Sequence, residues 1–266
     1  MARPRKRRLG NVLAGAAVVA CVLLAAFGLT ELKRGSATSD CLPARAPKTG
    51  PAAPAEGGLV VAEQGFSKFH PWSYSLGAVV ANNSPKAAYR TRFTLRMRDA
   101  DGLPLWSGES EEIPLIMPGQ RLAVGLGVNV PVEGAFPATG MSVELGETHW
   151  VPVDRGNLLF QSFDARAGAT PGNTTNPAEM YLWVAPSGDN ESHCGGLTEK
   201  GAGVVFRGAD GAIIGGASGG TRNGSYCVGS HFEEGLGTFA VPPGADLTRT
   251  QVSIYCDVAE PGGATQ

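Results

Sequence analysis

The sequence predicts an all-β protein, two tandem β-sandwiches held behind a single N-terminal transmembrane helix and a Pro/Ala-rich stalk. Three observations predict this. An uncharged apolar run fills Val12–Leu29. From Arg90 to Asp99 apolar and polar side chains alternate with the period of a half-buried strand. A set of short motifs recurs about 110 residues further on. The chain has 266 residues, 42% of them hydrophobic, which fits globular domains and excludes wholesale disorder. With 38 Gly and 19 Pro it is rich in turns. Its formal net charge of −2 argues against a basic nucleic-acid binder.

The N-terminal segment comes first. Arg3, Arg5, Lys6, Arg7 and Arg8 form a basic tail over residues 1–11. The 18 apolar residues that follow reach roughly 27 Å at about 1.5 Å per residue, about one bilayer core. They carry no polar stripe of the kind a buried soluble helix shows. Residues 12–30 therefore read as a signal anchor. The positive-inside rule keeps its N-terminus cytoplasmic and exports the rest to the outer side of the plasma membrane. The exported part, 35–266, carries 15 Lys+Arg against 23 Asp+Glu. Two other readings compete. A cleaved signal peptide would end in a small-x-small site, and Thr30-Glu31-Leu32 matches one poorly. A lipoprotein would use Val18-Val19-Ala20-Cys21, but apolar residues run on past Cys21.

Residues 31–58 read as a flexible stalk. From Gly35 on they are mostly small residues and Pro, with no apolar periodicity. The 24 residues from 35 to 58 would span at most roughly 70 Å. The two sandwiches are expected at 59–154 and 155–258, with a disordered tail at 259–266. Their relation rests on repeats. Arg98-Asp99-Ala100-Asp101-Gly102 recurs as Arg207-Gly208-Ala209-Asp210-Gly211, Gly125-Leu126-Gly127 as Gly235-Leu236-Gly237, and Gly134 as Gly244. Three matches in one order at one spacing indicate a tandem duplication. In the first copy, Phe93, Leu95 and Met97 share one strand face; Arg90, Arg92, Thr94, Arg96 and Arg98 share the other. Asp101-Gly102 reads as a two-residue hairpin turn that sets Met97 opposite Trp106. In the second copy, Val204–Phe206, Asp210-Gly211 and Ala212–Ile214 repeat the hairpin.

At this point the chain resembles a family. Ser75–Ser84, a strand ending in Asn82-Asn83, is similar to the opening of FxLYD-like domains. Phe93-Thr94-Leu95 with Asp99-Ala100-Asp101-Gly102 resembles their central strand and turn, and Met117-Pro118-Gly119-Gln120 the Pro-Gly turn that follows. Where the family has Tyr before the Asp, this chain has Arg98. The resemblance covers about 60–130, with a fainter echo over 176–256. It implies small immunoglobulin-like sandwiches on exported, anchored bacterial proteins, and it implies neither an enzyme nor a defined ligand. The 16 Arg against 6 Lys, with many Ala and Gly, fit a GC-rich, actinobacterial source.

An exported domain permits disulfides among Cys41, Cys194, Cys227 and Cys256. Cys194 and Cys227 sit symmetrically about the Asp210-Gly211 turn, so antiparallel register would pair them, and this is the expected bridge. Cys256 is left for Cys41, another chain or a free thiol. His193, Cys194, Cys227 and His231 lack compact zinc-ligand spacing, so no metal and no cofactor are expected. Gly216-Ala217-Ser218-Gly219-Gly220 fits G-x-S-x-G but lies in a Gly-rich tract beyond a hairpin. His70, His149, His193 and His231 form no triad pattern. Asn82, Asn173, Asn190 and Asn223 head N-x-[ST] sequons.

The stripe Arg90, Arg92, Arg96 and Arg98 is the candidate binding feature, an anion-binding face for an envelope polymer or an acidic protein partner. The competing reading is cross-strand charge pairing, with Arg92 opposite Glu111 and Glu109 nearby. The expected role is non-catalytic, an interaction or structural module at the cell envelope. An accessory subunit of a membrane complex and a hydrolase using Ser218 are the alternatives.

Overall fold

Strands occupy the segments where branched or aromatic residues alternate with small or polar ones. The computed structural model describes residues 42–71, 73–108, 111–130, 138–161, 165–171, 179–186, 196–219, 227 and 234–258. The strands are β1 (Ala53–Pro54), β2 (Leu59–His70), β3 (Ser73–Asn82), β4 (Ala87–Arg98), β5 (Pro104–Ser107), β6 (Glu111–Ile116), β7 (Arg121–Asn129), β8 (Gly140–Leu145), β9 (Glu147–Val151), β10 (Ala165–Pro171), β11 (Glu179–Pro186), β12 (Leu197–Arg207), β13 (Ile213–Gly219), β14 (Glu234–Ala240) and β15 (Gln251–Val258). Every ladder is antiparallel. Helical structure among the described residues is confined to short 3₁₀ turns, and no helix there is long and apolar enough to cross a membrane. The expected anchor at 12–30 lies outside the described residues, as do the basic tail and the C-terminal tail.

The strands form four sheets: β1-β9-β4-β5 with β6 and β8 also on β4, then β2-β3-β7, β13-β12-β15 and β10-β11-β14. Leu76, Ala78, Val80, Leu122 and Val124 from the β2-β3-β7 sheet meet Phe93, Leu95, Met97, Ile113, Ile116 and Met141 from the β4 sheet in the main core. The other face of the β2-β3-β7 sheet is also covered. There Val79 and Ala123 pack on Val205 and Ile213 of the second half. This explains why nine of the ten residues of β3 are buried. Leu42–Gln266 make up one compact unit that spans both expected sandwich segments, 59–154 and 155–258.

The contact between the halves is built on glycine. A Cβ on Gly65 would stand 1.9 Å from the Ile213 carbonyl oxygen, on Gly77 2.2 Å from that of Gly215, and on Gly125 2.3 Å from that of Val204. From the opposite side, a Cβ on Gly203 would lie 2.1 Å from the Ala123 carbonyl oxygen. Backbones come this close only where no side chain intervenes. The Ser75 hydroxyl donates to the Gly216 carbonyl at 2.8 Å and accepts from its N–H at 2.9 Å. The edge of β7 is closed by β15 side chains. Ser253 Oγ accepts from the Ala123 N–H at 2.9 Å, and the Tyr255 hydroxyl donates to the Ala123 carbonyl at 2.6 Å. Burial pushes the Tyr255 phenol well above its ordinary value.

The hairpins confirm the Met97–Trp106 pair and correct the turn. In β4–β5 the ladder slips by one between Met97/Trp106 and Arg98/Pro104, and the Asp99 N–H donates to the Leu103 carbonyl. The loop is therefore Ala100-Asp101-Gly102, three residues rather than two. In β12–β13 the same slip falls between Phe206 and Arg207, and the Gly208 N–H donates to the Ala212 carbonyl. Gly102 and Gly211 both take positive φ, 78° and 85°. In each loop the Gly N–H returns to the carbonyl three residues back, Asp99 or Gly208, and the left-handed Gly forms the bulge of a three-residue hairpin connection.

Residues 42–58, assigned by composition to the stalk, are docked on the body. Leu42 and Ala44 pack beside Leu158, Phe160 and Leu197. Asn157 Oδ1 accepts from the Arg45 N–H at 3.0 Å while Asn157 Nδ2 donates to the Arg45 carbonyl at 2.7 Å. Ala53 and Pro54 add a short strand to β9, and Ala55 is fully buried. Small residues and Pro lie flat on a sheet edge as readily as they form a linker, so composition alone does not distinguish the two. Asn82 is also fully buried and donates to the Lys86 and Ile116 carbonyls, both at 2.8 Å, so this sequon is not a glycan acceptor. The other three sequons lie outside the described residues.

Candidate functional site

The arginine stripe lies on the outer face of the β4 sheet, but Arg90 leaves it. Phe93, Leu95 and Met97 point into the core, while Arg92, Thr94, Arg96 and Arg98 lie on the opposite face. Arg90 has φ 53°, in the left-handed region. The alternation changes phase there. Ala88 belongs to the main core, whereas Ala87 and Tyr89 belong to a second cluster with Val151 and Leu158. Tyr89 and Arg90 therefore reach the same target, Asp257 on β15. The Tyr89 hydroxyl donates to Asp257 Oδ1 at 3.1 Å and Arg90 Nη2 donates to Oδ2 at 3.2 Å. The Asp257 side chain is 2% exposed, so this is a buried carboxylate met by a cation and a phenol. Burial, with that carboxylate alongside, pushes the Tyr89 phenol up to about 12. Arg90 thus ties β4 to Asp257, and with Glu112 4.0 Å from its Nε its charge is already paired.

The remaining row is partly neutralised. Arg92 stands opposite Glu112, not Glu111, because the pairing with β6 is displaced by one from that of the β4–β5 hairpin. Thr94 stands opposite Glu144, and Arg96 pairs with Glu144 at 2.8 Å. Arg96 is flanked by Ser107 on one side and Ser142 on the other. Arg98 is flanked by Pro104 and Gly140 and meets no carboxylate on its row. Among the described residues Arg92 and Arg98 make no ion pair. The face offers three guanidinium groups against Glu112 and Glu144, with Ser107, Ser142 and Thr94 as hydroxyl neighbours. Such a surface suits hydrogen bonding to oxyanions. Sequence alternation located the row. Glu144, Ser142 and Asp257 are brought to it by strands distant in the chain, and no local signal marks them.

The expected Cys194–Cys227 bridge is overturned. Cys227 is bonded to Cys256, with an S–S distance of 2.06 Å and Cα atoms 5.8 Å apart. The β12–β13 ladder runs only as far as Ala202↔Gly219, its last described pair. The other neighbour of β12 is β15, where Glu199 stands opposite Cys256. Cys194 lies outside the described residues, as do Cys41, His193 and His231. A disulfide-bonded Cys227 has no thiolate to give zinc. Ser218 is an exposed residue within β13, paired with Gly203.

No known family model matches the chain. No curated protein matches it either.

Proposed function

We propose that this chain is a single-pass membrane protein of the cell envelope. Its exported body is read as two immunoglobulin-like sandwiches of the FxLYD type, acting by binding rather than by catalysis. The basic tail and apolar run support the anchor and its orientation. The Cys227–Cys256 disulfide suits an oxidising compartment outside the cytoplasm. One observation carries the binding reading: the outer row of the β4 sheet keeps Arg92 and Arg98 unpaired among the described residues, on a sheet whose other face is core. Its ligand class is an anionic envelope component, polymer or protein.

The test uses purified residues 36–266 on the producer's isolated envelope, with and without 0.5 M salt (roughly a 4 Å Debye length). We expect retention that salt abolishes and that Arg92→Ala/Arg98→Ala weakens at least about fivefold. Arg90→Ala is the contrasting variant: it lowers stability through Asp257, and retention per folded molecule stays unchanged. Salt-insensitive retention, equal in both forms, contradicts the arginine face. Absence of retention contradicts the envelope-binding reading itself.

A further inference from the structure

The two repeat hairpins have the same construction and different surroundings. Arg98 Nη1 donates to the Gly102 carbonyl at 3.2 Å, and Arg207 Nη1 donates to the Gly211 carbonyl at 2.8 Å. The same arginine thus braces the same loop in each copy. In the second copy this arginine has a further task. Arg207 binds the Glu63 carboxylate of β2, and Arg121 holds the other oxygen of that group at 2.5 Å. The Arg207 guanidinium, with Arg121, holds the Glu63 carboxyl below its ordinary range. The hairpin motif in this molecule therefore already receives a carboxylate from an extended strand.

In the first copy no described residue takes the equivalent place. Arg98 is exposed and lacks any carboxylate among the described residues. Beside it on the tip, Leu103 is 61% exposed, where the second copy has Ala212. We propose that the β4–β5 tip, Arg98 with Leu103, is a docking surface for an extended acidic segment of a partner protein. Arg98 takes an Asp or Glu carboxylate as Arg207 takes Glu63, and Leu103 takes an apolar neighbour on that segment. A protein is favoured over a polyanionic polymer because Leu103 gains only by burial against apolar surface. The proposal rests on the binding reading above and names its partner class.

The test uses the full-length chain in the producer's membranes, with Leu103→p-benzoylphenylalanine as photocrosslinker. Ala209→p-benzoylphenylalanine, on the exposed tip of the second hairpin, is the control site. We expect a peptide adduct from position 103 and not from 209, mapped next to an Asp or Glu. Arg98→Glu in the same chain should reduce it about tenfold, and Arg98→Lys should keep most of it. Arg98→Gln serves as a milder charge removal if the reversal lowers expression. Absence of an adduct above the control overturns the proposal, as does an adduct indifferent to Arg98→Glu or one to lipid or polysaccharide. Envelope retention of residues 36–266 without a position-103 adduct overturns the docking surface and leaves the binding reading standing.

Discussion

Gly125→Ala is expected to destabilise the body by about 3 kcal/mol or more, while Gly127→Ala, two residues along the same strand, changes stability by less than about 0.5 kcal/mol. The added methyl on Gly125 would lie 2.3 Å from the Val204 carbonyl oxygen and 2.5 Å from the Ala217 nitrogen. Both are backbone atoms of strands fixed by their own ladders, so neither can rotate aside. At Gly127 nothing lies within 4 Å of the added carbon. The two substitutions are chemically identical and share a strand, so β-propensity and unfolded-state effects cancel in the comparison. Urea unfolding of residues 36–266 reads both. Gly77→Ala, aimed at the Gly215 carbonyl oxygen from β3, should follow Gly125→Ala.

The second large effect is loss of the Cys227–Cys256 bond. These cysteines close a loop across 29 positions, and the chain-entropy model assigns such a loop about 3–4 kcal/mol. Cys227 is fully buried among Leu158, Leu159 and Leu197, so Cys227→Ser also places a hydroxyl in an apolar cluster. Cys227→Ser and Cys256→Ser should each lower the unfolding midpoint, and reduction should add little further loss at this bond. In Cys194→Ser, a non-reducing peptide map should still show the 227–256 link. A 194–227 link in the parent chain would contradict the assignment.

Local chemistry made the all-β class legible, since period-two alternation on β4 and the Pro-Gly turn at 117–120 both rest on neighbouring residues. Gly119 takes φ 74° and the Gln120 N–H donates to the Met117 carbonyl, as that turn requires. The Met97–Trp106 pairing follows from the same short-range register. Longer-range features were not legible. Nothing local marks Gly65, Gly77, Gly125 and Gly203, and only the facing sheet shows that each admits a neighbouring backbone. Arg90 read as one of four equivalent cations, because nothing near it announces Asp257, 167 positions away. The disulfide failed for a related reason. Hairpin symmetry ranks partners across β12–β13, whereas Cys256 arrives on β15, the other neighbour of β12.

The glycine contact bears on function as well as stability. Ser75, Ser253 and Tyr255 bond across it to backbone groups, so the second half is held against the sheet that backs the β4 core. The docking proposed at the β4–β5 tip would therefore meet a preorganised surface, which lowers the ordering cost of association.

Differential scanning calorimetry of residues 36–266 decides most directly whether the halves act as one body. We predict a single transition whose calorimetric and van't Hoff enthalpies agree, moved as a whole to lower temperature by Gly125→Ala. Two resolved transitions, only one of them shifted by the Gly125 substitution, would contradict it.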